Sequence, residues 1–264
     1  MQIAFTDEQE ALRKELRTYF QGLMTPEVQD EMASGDGEYG GEQLYKQLVR
    51  QMGEDGWLGI GWPSEYGGQD RSMVEQLIFM DEASLANAPV PFLTTNTVGP
   101  TLMHYGTDEQ RKEFLPKILA GQMHFSIGYS EPGAGTDLAS LTTRAVRDGE
   151  EYVINGQKMW TSLIQYADYV WLAVRTDPDA PKHKGLSMIL VPTDTPGFSW
   201  TPVHTMSGVM TSATFYNDVR VPVANLVGEE NKGWNLITNQ LNHERVALCS
   251  AASVQHLVND VRAW

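Results

Sequence analysis

Ser126-Ile-Gly-Tyr-Ser-Glu-Pro-Gly-Ala-Gly-Thr-Asp137 stands where this 264-residue chain changes its grammar. Its glycines, its proline and the hydroxyls of Ser130 and Thr136 follow a short apolar run, and such a loop lets backbone N–H groups approach an anion closely. An ordinary surface turn has the same composition. No lysine follows the glycines as in a GxxxxGK phosphate loop, and the GxGxxG spacing of a dinucleotide fold is absent.

Before this stretch the pattern is helical. Thr6 and Gln9 have the spacing of a capping box, with Leu12, Leu16, Tyr19 and Leu23 on one face and Gly22 and Pro26 at the end. Leu44, Leu48 and Met52 repeat that face before Gly53. Ser72 with Glu75 opens another helix ahead of Leu77, Ile78 and Leu85, and Thr107 with Gln110 opens one carrying Phe114, Leu115, Ile118 and Leu119. The glycines of 56–63 and 66–68 predict turns.

After Gly121 the segments 152–154, 169–174, 186–191 and 213–221 are rich in β-branched and aromatic residues and broken at short intervals, which predicts antiparallel strands in a sandwich or barrel. Asn155-Gly156 is expected to be the tight turn of a hairpin. Helical spacing resumes at about Asn231 and continues through Ile237, Leu241 and Leu248 to Val254, Leu257, Val258 and Val261. That last stripe must be covered by the chain itself, by another chain or by further residues. The expected class is α+β: a helical N-terminal domain at 1–122, an antiparallel β middle domain at 123–230, and the start of a truncated C-terminal helical domain at 231–264.

Composition narrows the function. A net charge of −15 argues against nucleic acid as a partner. The single cysteine, Cys249, excludes an internal disulfide and suits a reducing, cytoplasmic setting, where it reads as a small core residue. No apolar run approaches membrane-spanning length, so no membrane partner is expected. The six histidines lack metal-ligand spacing, so no metal site is expected.

Two further features could carry chemistry. Trp160 offers a flat face for a heteroaromatic ring, with Ser162 expected two residues along the same side of a strand; a core tryptophan is the alternative. Glu244 follows Ile237 and Leu241 at helical spacing, and so falls on an apolar stripe. Burial there would raise its pKa toward that of a general base, while an ion pair to another segment is the structural alternative. Arg245, adjacent on the helix, faces elsewhere.

Together these residues resemble the acyl-CoA dehydrogenase family. Its S/T-E-P-x-A-G-S/T-D pattern stands here as Ser130-Glu-Pro-Gly-Ala-Gly-Thr-Asp137, its I-N-G-x-K-x-W/F as Ile154-Asn-Gly-Gln-Lys-Met-Trp160, and a later helix opens on Lys232-Gly-Trp234 and carries Glu244-Arg245. The resemblance implies bound FAD and an acyl-CoA thioester substrate. Residues Ile127, Tyr129, Ser130, Gly135 and Thr136 with Trp160, Thr161 and Ser162 would line the flavin. Thr136 would also reach the CoA part, and Asn242, Glu244 and Arg245 would border the thioester. Glu244 matches one of the two family positions of the base that removes the α-proton, the β-hydrogen leaving as hydride to the flavin.

The family implies an electron-transfer flavoprotein or similar acceptor, and a C-terminal helical bundle beyond Trp264. Thr161-Ser-Leu163 departs from the I-T-N that relatives carry after the aromatic residue. The stretches Trp62–Gly68 and Pro91–Pro100 look like actinobacterial members that act on steroid side-chain CoA esters, several of them built from two different subunits. A fatty acyl-CoA, a homo-oligomer, a noncatalytic partner subunit and a flavin oxidase or monooxygenase of the same fold are the competing expectations.

Overall fold

The computed structural model describes residues 4–35, 39–247 and 250–264, the side chains of 243–247 and 260 excepted. The chain forms two compact units, Met1–Pro91 with Leu119–Gln122 and Glu244–Trp264, and Phe92–Ile118 with Met123–His243. The units thus do not follow chain order: helical residues before 119 group with the strands, and the last helix groups with the first ones. Among the described residues no helix is long and apolar enough to cross a membrane.

The first unit holds α1 (Asp7–Leu23), α2 (Pro26–Ser34), α3 (Glu42–Glu54), α4 (Met73–Leu85) and α8 (Ala252–Ala263). Thr6 and Ser72 cap α1 and α4 with full capping boxes, as their spacing predicts. Helix α2 has Pro26 in its first turn, so the proline opens a helix as well as marking the end of the one before. The buried line of α1 is Leu12, Leu16 and Phe20, with Tyr19 and Leu23 at its margins. Phe20 meets Phe79 of α4 at 5.5 Å between ring centres.

One turn beyond Phe79, Glu82 is also buried. Its carboxylate accepts from Arg13 Nε at 3.0 Å and from Arg17 Nη2 at 2.7 Å, so two partly exposed guanidinium groups hold one buried charge.

The C-terminal stretch is not one helix. Helix α7 (Gly233–Ala247) ends before α8 begins, and Ser250 Oγ accepts from Ala252 N at 3.0 Å and donates to Asp81 at 2.5 Å. Those bonds, with His256 Nδ1 at 3.0 Å from Leu85 O, seat α8 on α4 by its polar edge. Val254, Leu257, Val258 and Val261 stay exposed. Leu248 and Cys249 lie outside the described residues.

In the second unit a π-helical turn, Leu93–Val98, runs into α5 (Gly99–Tyr105) and α6 (Asp108–Leu119). Gln110 does more than cap α6. Its Oε1 accepts from Thr107 N, while its Nε2 donates to Ala224 O at 2.8 Å and Leu226 O at 2.9 Å, fixing α6 to the end of the sheet.

The strands are β1 (Phe125–Gly128), β2 (Arg144–Asp148), β3 (Glu151–Lys158), β4 (Tyr169–Arg175), β5 (Leu186–Pro192), β6 (Phe198–His204), β7 (Met210–Pro222) and β8 (Leu226–Val227). They form one sheet in the order β6-β7-β3-β2-β4-β5-β8, with β1 on β4. The sheet is mixed, which corrects the expectation of purely antiparallel pairing: β1 and β2 both run parallel to β4, one along each part of its length. Val170, Leu172, Val174, Ile189 and Val191 of the central pair, with Ile154 and Val219, fill the core under the sheet.

Asn155-Gly156 is no hairpin turn. Both residues lie inside β3, whose register against β7 slips between Ile154 and Gly156, a β-bulge. Asn155 exchanges two bonds with Asp218, and Gly156, at φ +153, has no room for a Cβ because Thr143 Cα would stand 2.7 Å away. The positive φ that suggested a turn is spent on a close backbone approach instead.

The Glu82 cluster gives an asymmetric prediction. Glu82→Gln releases two arginines that reach water and should cost about 1–2 kcal/mol. Arg13→Ala with Arg17→Ala strands a buried carboxylate and should cost about 3–5 kcal/mol, read as a larger fall in thermal midpoint.

Candidate functional site

The loop that follows β1 and the turn that follows β3 are brought together at their bases. Lys158, the last residue of β3, is completely buried, and its ammonium donates to Tyr129 O at 2.9 Å and to Glu131 Oε1 at 2.9 Å. The next residue, Met159, donates its N–H to Ser130 O at 2.8 Å. Three consecutive loop residues are therefore held by the last residue of β3 and the one that follows it.

Glu131 closes the other side. Its carboxylate also accepts from Thr142 N at 2.7 Å, Thr142 Oγ1 at 2.8 Å and Thr143 N at 2.8 Å, so residues 132–141 leave and re-enter at one fastened point. Burial by itself would raise the carboxyl pKa, but the Lys158 charge and the two backbone N–H donors outweigh it and bring the group down to about 2. Burial pushes the Lys158 ammonium down, against the pull of the Glu131 carboxylate 2.9 Å away.

Beyond the clasp the expected site residues take different roles. Ile127 is half-buried on β1, Ser130 is half-buried, and Gly135 and Thr136 are exposed on the open loop. Tyr129 is buried; its hydroxyl accepts from Trp171 Nε1 at 3.1 Å and bonds to Gln240 Oε1, which ties the end of β1 to β4 and to α7.

Trp160 is 57% exposed at φ +64. It does not stand on a strand, so the expected alternation placing Ser162 on its side does not apply: β3 has ended at Lys158, and Trp160-Thr-Ser-Leu163 is a turn with left-handed residues at both ends. Thr161 is fully buried, with its hydroxyl 3.4 Å from that of Thr214 and its N–H donated to Ser212 O at 2.9 Å, so it faces inward. Ser162 Oγ lies 3.1 Å from Thr211 Oγ1, and Ser126 Oγ donates to Ser162 O at 2.9 Å.

On α7 the buried line is Gly233, Leu236, Ile237 and Gln240, with Leu241 half-buried and Asn242 exposed. The side chains of Glu244 and Arg245 lie outside the described residues. Position 244 is one helical turn beyond Gln240 on the same backbone.

The residues present are compatible with a flat aromatic ligand in their chemistry: an exposed indole and a glycine loop. An exposed indole follows a loop whose Gly133 and Gly135 have open space where a Cβ would be, and neither segment is free to collapse because each is bonded at its base. Glu131, Lys158 and Gln240 escaped sequence reasoning. The signal for the first two was present, an acid and a lysine inside paired motifs, but only the fold shows that they meet.

Family models for the acyl-CoA dehydrogenase N-terminal domain and middle domain match residues 6–122 and 126–219. Acyl-CoA dehydrogenase FadE26 of Mycobacterium tuberculosis (strain ATCC 25618 / H37Rv) is 66% identical over 267 residues, covering 100% of this chain and 67% of that protein. This chain belongs to the acyl-CoA dehydrogenase family. Among solved structures, the ChsE4-ChsE5 complex from Mycobacterium tuberculosis superposes with a TM-score of 0.91 at 65% identity, over 100% of this chain and 67% of that one. The Tcur3481-Tcur3483 steroid ACAD gives 0.93 at 56% identity, over 100% and 68%. The chain thus spans about two thirds of the length of these relatives. The family is one of flavin-dependent oxidoreductases, and membership gives this chain an oxidoreductase role.

The clasp predicts an acid limit. Because the Glu131 pKa is depressed on folding from an unfolded value of about 4.3, its stabilisation is full above that pH and is lost as pH falls toward 2. Equilibrium unfolding followed by tryptophan fluorescence should show wild type losing stability steeply across that window, and Glu131→Gln should flatten the slope.

Proposed function

We propose that this chain is a catalytic subunit of an FAD-dependent acyl-CoA dehydrogenase that introduces an α,β double bond into an acyl-CoA thioester. The observation that carries the reading is the clasped pair of segments Ser130–Asp137 and Trp160–Ser162, which hold the family's two flavin motifs side by side. Residues Ile127, Ser130, Gly135, Thr136 and Trp160, with Thr161 and Ser162 of the same turn, would line FAD, and Tyr129 would support them from beneath. FAD, when bound, supplies the acceptor for the β-hydrogen leaving with its electron pair.

The chain's own residues do the rest. Glu244 is the proposed base: its carboxylate takes the α-proton, and Asn242 and Arg245 border the thioester. An α-proton of this kind is weakly acidic, so the carboxylate must be close, oriented and shielded from water, with donors for the developing enolate oxygen. Thr136, exposed on the loop, is assigned in this reading to the CoA part.

Steroid side-chain esters are the substrate class this reading favours over simple fatty acyl-CoA, and a second homologous subunit is the favoured partner. Support comes from the likeness to a steroid ACAD and to a two-protein complex. An electron-transfer flavoprotein or a similar carrier is the proposed acceptor, in a reducing cytoplasm. The division into 1–122, 123–230 and 231–264 belongs to the same proposal.

Coexpressed with its partner subunit, the protein should show a flavin absorption band that bleaches on adding the acyl-CoA. Glu244→Gln should keep the band and slow bleaching by about 10²–10⁴-fold, the range for removing a general base. Undiminished turnover would refute the assignment, and a missing flavin band in wild type would refute the cofactor.

A further inference from the structure

We propose that Lys158 and Glu131 are positioning residues for the flavin: their buried ion pair sets where the Trp160–Leu163 turn stands relative to the 130–137 loop. The proposal rests on the FAD-binding reading above and adds to it a role for two residues that touch no substrate.

Stability does not account for the pair. Removing two charges from water costs as much as or more than their attraction returns, and apolar side chains of similar volume at such places are often neutral or stabilising. What the pair supplies is direction. The ammonium lies 2.9 Å from both Tyr129 O and Glu131 Oε1, and a shift of either segment would break bonds to a buried charge. Apolar packing tolerates such sliding more readily.

The segment it fastens is under strain. Trp160 at φ +64 and Leu163 at φ +62 hold a backbone region that side-chain-bearing residues avoid, and such residues persist only where the surroundings over-determine them. Here the surroundings are identifiable. Met159 N is bonded to Ser130 O on one side, Thr161 N to Ser212 O at 2.9 Å on another, and Ser162 O accepts from Ser126 Oγ. Only the first of these anchors the turn to the loop, and it lies between the two bonds of the clasp. If the clasp is released, the turn keeps its bonds to Ser212 and Ser126 but its separation from the 130–137 loop is no longer fixed.

The test is Glu131→Gln with Lys158→Met, which removes both charges, keeps one amide oxygen to accept from the backbone N–H of Thr142 or of Thr143, and roughly preserves volume. Both residues are changed because Lys158→Met alone leaves a buried carboxylate without its cation, and the variant is made in the complete assembly with the partner subunit. The double variant should unfold within a few degrees of wild type when stripped of flavin. Its FAD dissociation constant should rise about tenfold, and the visible circular dichroism of the residual bound flavin should change.

A folded double variant that binds FAD within twofold of wild type, with an unchanged flavin spectrum, overturns the positioning role. So does a double variant that fails to fold, since the pair would then be structural. Wild type that holds no flavin overturns the cofactor reading itself and this proposal with it, and it is measured first.

Discussion

A buried ammonium and a buried carboxylate, 2.9 Å apart, organise the part of this protein where its chemistry is placed. Neither charge can be left alone in the interior, so each dictates the position of whatever chain carries the other. Because Lys158 ends a central strand and Glu131 begins a glycine loop, the constraint passes from the rigid sheet to a segment with little structure of its own. The loop can then be open and rich in glycine at its tip without being free at its base.

The sheet gives that constraint a fixed origin. Strand β4 pairs with β1, β2 and β5, and its residues Val170 to Val174 are fully buried. The loop starts at the end of β1 and the turn at the end of β3, so both are referred to strands that cannot shift without disturbing the core. Tyr129 extends the same frame to α7 through Gln240, one turn before position 244. Strain at Trp160 and Leu163 is then tolerable, because the bonds around the turn outnumber its freedoms.

The two units show different solutions to burying charge. In the first, Glu82 is held by arginines that reach solvent, so the charge is balanced at the edge of the core. In the second, both members of the pair are inside and the remaining lone pairs are met by Thr142 and Thr143. The first arrangement serves helix packing; the second leaves a loop and a turn with a defined separation.

Much of the fold was legible from sequence because the signals are local. Capping boxes at Thr6 and Ser72, the Thr107–Gln110 pair and the β-branched runs need only neighbours within a few residues, and they mark real elements. The likeness of paired motifs likewise identified the family before any coordinate did. Local signals failed where a residue's partner is distant in the chain. Asn155-Gly156 has the letters of a turn, but Thr143 and Asp218 make it a bulge; Trp160 and Ser162 have the spacing of a strand, but the strand ends two residues before Trp160. By itself the sequence determined the capped helices, the main β-branched strands and which family they build, since hydrophobic period and capping act over a few residues. Only the tertiary structure decided that Lys158 meets Glu131 and that the sheet is mixed, because a buried charge or a strand selects its partner from the whole chain, at separations no local pattern records.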